Sequence, residues 1–310
     1  MAPAYEPPMA TQSAIASARP RNERLAVFAL FAGALAIAFS PIFVRLSELG
    51  PTATAFHRVA LAIPVLWLVL ALDSRRARLR PLTRWQKGML LLSGIAFSGD
   101  LAFWHWSIKF TSVANATLFA NFTPIFVTIG AYFFLKETIR PAFLLGLGLA
   151  LAGAALLVSS SLHLSLDHLI GDGLGVVTAM FYGTYIVIVA RMRGAIAAVR
   201  LMLWTAVITA IVLLPVAVLA GESVIPRTLS GWLVLLGLAW GSHAAGQSLI
   251  AYALAHLPAS FTSVGLLIQP VGAALLAWLL LAEPLGPLQA LGGAVVLAGV
   301  LVARFASRPA

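Results

Sequence analysis

The 310-residue chain contains no cysteine. Structural disulfides, thiolate nucleophiles and cysteine-ligated metal are therefore excluded. Charge is almost as scarce: Asp, Glu, Lys and Arg together make up 10 % of the residues, against about 25 % in ordinary globular chains. A soluble fold of this length needs far more charge to cover its surface. Acidic residues are rarer than basic ones, ten against twenty, and the formal net charge is +10. No basic cluster sits on a foldable polar surface, so nucleic acid is excluded as a partner and the excess needs a membrane explanation. Also missing are a Gly-rich loop ending in Lys-Ser/Thr, a Gly-x-Ser-x-Gly and a His-Glu-x-x-His. Direct ATP drive, an exposed serine nucleophile and a zincin-type metal site go with them. No cofactor and no metal site is expected.

Apolar residues are abundant, at 61 % without counting glycine. A membrane crossing needs about 20 of them, and ten candidate spans appear: 25–45, 52–72, 86–108, 112–135, 142–161, 173–190, 199–220, 230–254, 259–281 and 287–305. None alternates with a period of two, which excludes a β-barrel. Residues 1–24 are polar with four prolines and read as a disordered cytoplasmic tail. No small-residue cleavage site follows a short apolar region there. With the N-terminus inside, the inner segments hold sixteen Lys and Arg and the outer ones only Arg45, Lys109 and Arg227, while Arg58 lies within a span. The loop 163–172 carries Asp167 and Asp172 without Lys or Arg. This asymmetry puts both termini in the cytoplasm and the chain, multi-pass, in a bacterial-type inner (plasma) membrane.

Shifted by 146 residues, 124–153 matches 270–299 without a gap, with ten of the thirty positions identical. The informative pairs are Pro124/Pro270, Glu137/Glu283, Pro141/Pro287, Gly146/Gly292 and Gly153/Gly299. A fainter match joins Phe39-Ser40-Pro41 to Phe181-Tyr182-Gly183. The expected architecture is an all-α integral membrane protein of two five-helix repeats, 25–161 and 173–305, around a central cavity. Five spans per unit force the second unit to enter the membrane upside down. Many secondary transporters obtain two near-equivalent arrangements around a midplane site in this way. Glu137 and Glu283 sit at helix ends, where a carboxylate caps or orients the following helix.

The doubled motif Pro-x12-Glu-x3-Pro-x4-Gly resembles the EamA module of the drug/metabolite transporter superfamily. The resemblance covers about 25–305 and implies ten helices, a cavity between the halves and alternating access. Ser98-Gly99-Asp100, Asn121-Phe122-Thr123-Pro124 and Phe181-Tyr182-x-x-Tyr185 are similar to the YddG-type amino-acid exporters. That branch implies export of aromatic and other neutral amino acids, although Asn121 and Thr123 stand where aromatics are expected before the proline.

Asp100 is the one carboxylate well inside a span, where a charge must face a partner or a wet cavity. It serves a substrate ammonium or a proton, or else forms a structural pair with Arg58 or a histidine. Phe97, Trp104 and Ser107 share its helix face. Arg58 offers a fork for a carboxylate, or snorkels to the headgroups. His243 and Gln247, four residues apart, occupy the repeat counterpart of the Phe97–Asp100 region; the alternative is plain interhelical hydrogen bonding. Tyr182 and Tyr185 are the aromatic cavity candidates in the sixth span, with Phe119 and Phe122 in the fourth, or they simply pack. Ser40, Asn121 and Gln269 are polar where apolar residues would be cheaper. Pro124 and Pro270 free the carbonyls of Ala120 and Leu266 and kink their helices, as candidate gates.

The expected function is a secondary transporter exporting small metabolites, foremost aromatic or neutral amino acids, by facilitated or proton-coupled alternating access. It is not expected to be an enzyme. The alternative is export of a cationic toxicant, purine or sugar derivative; an intramembrane enzyme ranks lower. The expected partners are the small-molecule substrate, protons as coupling ion and the lipid bilayer, with the chain a monomer or weak oligomer.

Overall fold

The computed structural model describes residues 9–72, 81–111, 113–159, 168–281 and 285–307, and among these every regular element is a helix. Among the described residues nine helices are long and apolar enough to cross a membrane. They are α1 (Asn22–Leu46), α2 (Pro51–Leu72), α4 (Asn115–Leu135), α5 (Pro141–Val158), α6 (Leu169–Arg191), α7 (Ala198–Leu219), α8 (Leu229–His256), α9 (Ala259–Leu280) and α10 (Pro287–Ala306). Between α2 and α4 lies α3 (Arg84–Phe110), 27 residues long. At 1.5 Å per residue it exceeds the roughly 30 Å hydrocarbon thickness, but Asp100 and His105 interrupt its apolar run.

Local sequence explains where the helices begin. Proline, which needs no helical N–H partner, opens α2, α5 and α10 at Pro51, Pro141 and Pro287. A capping box opens α3: Thr83 Oγ1 accepts from the Gln86 N–H at 3.2 Å while Gln86 Oε1 accepts from the Thr83 N–H at 2.9 Å. Two expectations need correction. The first helix starts at Met9, so residues 9–24 are helical rather than a disordered tail. They are rich in Ala and contain Arg and Glu, all good helix formers, and Glu23 is paired with Arg304 of α10. The sixth helix starts at Leu169 rather than 173, because Asp172 is folded into it and accepts from Thr111 Oγ1 (2.7 Å) and Asn115 Nδ2 (3.0 Å). Asp167 and Glu283 lie outside the described residues.

Four helices are broken, at Phe39 in α1, Leu61 in α2, 121–122 in α4 and 266–267 in α9. Each break falls two to four residues before a proline: Pro41, Pro64, Pro124 and Pro270. The missing proline N–H and the ring's clash with the preceding turn account for all four. At the α4 break, the carbonyl freed at Ala120 accepts a 2.7 Å hydrogen bond from Thr123 Oγ1. The middle of α8, Gly237–Gln247, is π-helical, a form that recurs at functional sites.

The packing follows the two halves. Helix α1 packs on α8 and α9, and correspondingly α6 packs on α3 and α4. Helix α2 lies against α7, α4 against α9, and α5 against α10. At the last contact glycines let the backbones touch. A Cβ on Gly146 would lie 2.8 Å from the Gly299 carbonyl oxygen, and one on Gly292 would lie 2.8 Å from that of Gly153. Gly146 and Gly292 are repeat counterparts, and so are Gly153 and Gly299.

Candidate functional site

The breaks converge on a cavity of about 180 Å³ at the centre of the bundle. Ser40 and Pro41 reach it from the α1 break, and Arg58 from the turn before the α2 break. Asn121 and Pro124 come from α4, Gln269 and Pro270 from α9. Helix α3 contributes Phe97, Asp100 and Trp104, α6 contributes Tyr182, and α8 contributes Gln247 from its π-helical segment. Eleven residues expected from sequence therefore surround one space.

The polar inventory of this wall is unusual. Ser40 Oγ, Arg58 Nε, Asn121 Nδ2, Gln247 Oε1 and Gln269 Nε2 are all buried and have no hydrogen-bond partner within the protein. Buried polar atoms ordinarily find partners, since leaving one unmade costs about 1–3 kcal/mol. Five such atoms around one cavity mark it as built for a polar occupant. Asp100 and Arg58 face one another electrostatically, yet they form no ion pair within 4 Å among the described residues. Both charges thus remain directed at the cavity.

An aromatic ladder supports one wall. Tyr182 stacks on Tyr185 at a centroid distance of 5.8 Å, Tyr185 meets Phe97 at 4.9 Å, and Phe97 meets His243 at 5.5 Å. Tyr185 is fully buried behind Tyr182, with its hydroxyl directed at Met202 Sδ (3.3 Å), and His243 lies behind Phe97. Neither lines the cavity. Ser107 instead donates to the Gly171 carbonyl at 2.6 Å, joining α3 to α6. Phe119 and Phe122 meet edge to face, and Phe119 covers Gly175, so they pack beside the cavity. Conversely Thr178 and Ser263 line it; nothing in their local sequence separates them from ordinary small polar residues in helices. Their hydroxyls already donate to the Leu174 and Ser260 carbonyls. The α2 break beside Arg58 is pinned by Trp240, whose indole N–H donates to the Leu61 carbonyl at 3.0 Å. His57 and His105 each bond a carbonyl of their own helix, Ala53 and Leu101.

Carboxylates close the bundle ends. Glu137 accepts from the Ala259 and Ser260 N–H groups at 2.7 and 3.2 Å and from Ser260 Oγ at 2.6 Å. It therefore caps α9, not the following helix α5 as its sequence position implied. At the other end Glu222 accepts from the Ala53 N–H of α2 at 2.7 Å, and Glu48 accepts from the Thr228 N–H before α8 at 3.1 Å. Each carboxylate meets the positive end of a helix dipole.

The two halves, residues 24–159 and 169–305, each match the EamA-like transporter family. The chain belongs to that family. Among its relatives are an uncharacterized transporter of Archaeoglobus fulgidus, 28 % identical over 84 % of this chain and 90 % of the relative, and a probable terminal-alkyne amino-acid exporter of Streptantibioticus cattleyicolor, 28 % identical over 86 % and 88 %. A solved crystal structure superposes with a TM-score of 0.81 at 17 % identity, covering 91 % of this chain and 97 % of the other; it shares the fold. The EamA-like chain is thus a multi-pass membrane transporter.

Proposed function

We propose that this EamA-like transporter exports small zwitterionic metabolites, foremost amino acids with aromatic or neutral side chains, across a bacterial-type inner membrane. The observation that carries the reading is the pair Arg58 and Asp100, opposite charges in one cavity that do not neutralise each other directly. A substrate carboxylate takes the Arg58 fork, its ammonium takes Asp100, and the Trp104 and Tyr182 faces receive the side chain. Asn121, Gln247 and Gln269 supply further hydrogen bonds. The amino-acid exporter among the relatives supports the same substrate class. At about 180 Å³ the cavity is smaller than the roughly 300–1,000 Å³ typical of drug-sized ligands, which favours a small metabolite. A bare cation is disfavoured by Arg58.

The transport cycle proposed is alternating access with ten crossings in two inverted halves, both termini cytoplasmic. The exchange of Gly146–Gly299 for Gly292–Gly153 supports a pseudo-two-fold relation between the halves. A gradient drives the cycle, either that of the substrate or that of protons. Efflux of a radiolabelled amino-acid panel from proteoliposomes, with and without a pH gradient, tests the reading. Saturable efflux of aromatic or neutral amino acids supports it; efflux of cationic drugs alone overturns it.

A further inference from the structure

A second recess lies on the outside of the bundle, between α3, α4 and α6. Its volume is about 510 Å³, and its lining is apolar apart from Thr184 and Arg191. Its floor is the close contact of α4 with α6: a Cβ on Gly130 would lie 2.7 Å from the Val187 side chain, and one on Gly183 would lie 2.9 Å from that of Phe126. The rim residues Trp85, Ile129 and Met180 are 47–51 % exposed, and Phe134 is 69 % exposed.

The groove has a direction. Trp85 begins α3, Phe134 lies near the end of α4, and Arg191 ends α6, so all three stand at one end. The groove lining on α6 runs from Met180 to Arg191, about 16 Å at 1.5 Å per residue. That is about half of a roughly 30 Å hydrocarbon core, one leaflet deep. Arg191 stands at the mouth, Arg84 and Lys87 at the start of α3 are exposed at the same end of the bundle, and no acidic side chain lines the groove. Trp85 has the amphipathic ring that favours the headgroup level.

We propose that this groove is a binding site for one anionic phospholipid, its acyl chain lying between α4 and α6 and its phosphate on Arg191. Under the orientation proposed above the lipid belongs to the cytoplasmic leaflet, but the site does not depend on what the cavity transports. Its failure is therefore separable from that of the transport reading. The occupant follows from the combination of depth, apolar walls and a cationic mouth. A partner helix would need no guanidinium there, and free phosphate would have no use for the groove.

The test is native mass spectrometry of the full chain, delipidated and then titrated with phosphatidylglycerol, phosphatidylethanolamine or inorganic phosphate. Phosphatidylglycerol is expected to bind in preference to both. Arg191→Gln should reduce that preference about fivefold, and Thr184→Trp should remove binding of both lipids by filling the groove. Melting temperatures of the variants establish folding; if Thr184→Trp does not fold, the exposed Arg191→Gln decides alone. Equal retention of the two lipids by wild type, binding of phosphate as tight as that of the lipid, or phosphatidylglycerol binding unchanged in Arg191→Gln would overturn the proposal. So would a dimer whose cross-links from position 184 show a second copy in the groove.

Discussion

Glu137 accepts the backbone N–H of Ala259 at 2.7 Å, so a carboxylate from the first half caps the first turn of a helix in the second. Arg193 approaches the same carboxylate at 3.7 Å. Three connections of the chain are thereby held at one end of the bundle.

Glu137→Ala should lower stability by about 1–2 kcal/mol, the cost of removing a capping acceptor from a helix N-terminus. Glu137→Gln, which keeps one acceptor, should lose less. Thermal unfolding of the two variants in one detergent checks the order; equal stability of Glu137→Ala and wild type would exclude a structural clasp.

At the α5–α10 contact, Gly153→Ala places a Cβ 2.5 Å from the Val296 nitrogen and 2.8 Å from the Gly292 carbonyl oxygen. Overpacking of this kind costs about 1–3 kcal/mol. Gly292→Ala should cost about the same, and the double variant less than the two together, since both separate the same backbones. Additive losses would mean that the two glycines act at independent places.

Much of this arrangement is legible in sequence because the membrane makes polarity expensive. Ser40, Arg58, Asp100, Asn121, Gln247 and Gln269 stand out in apolar runs, and all reach the cavity. The 146-residue repeat foreshadows the glycine contact for the same reason that it exists: small residues are needed wherever backbones touch. What local sequence does not carry is orientation about a helix axis or long-range pairing. Ser107 shares a helix with Asp100 yet turns to the Gly171 carbonyl, and Tyr185 hides behind Tyr182. Glu137 is visibly at a helix end, but which N-terminus lies opposite is decided by packing across a separation of 122 positions. The polar residues that make α3 a candidate site also weaken it as an apolar span.

The proposed inversion puts residues 140 and 286 on opposite sides of the membrane. In this cysteine-free chain, Arg140→Cys and Gly286→Cys should react with an impermeant thiol reagent from the inside and the outside respectively. Labelling of both from one side of intact cells contradicts the inverted halves.

Tyr182 lines the cavity while its ring rests on Tyr185. Tyr182→Ala should therefore reduce efflux of aromatic amino acids by about tenfold, roughly the value of one lost aromatic contact with its buried area, and that of alanine much less. Equal losses for both substrates would assign Tyr182 to packing.

In the proposed substrate pose, Arg58 and Asp100 hold the two charged ends of one molecule. Efflux per folded molecule, with folding measured in parallel by melting temperature, should be compared for wild type, Arg58→Gln and Asp100→Asn. The substrates should be phenylalanine, its decarboxylated amine and its deaminated acid. Wild type should prefer the zwitterion over both analogues. Arg58→Gln should lose the preference over the amine, and Asp100→Asn the preference over the acid. Variants that melt at lower temperature but retain the wild-type preference per folded molecule would make Arg58 and Asp100 structural charges and overturn the proposed pose.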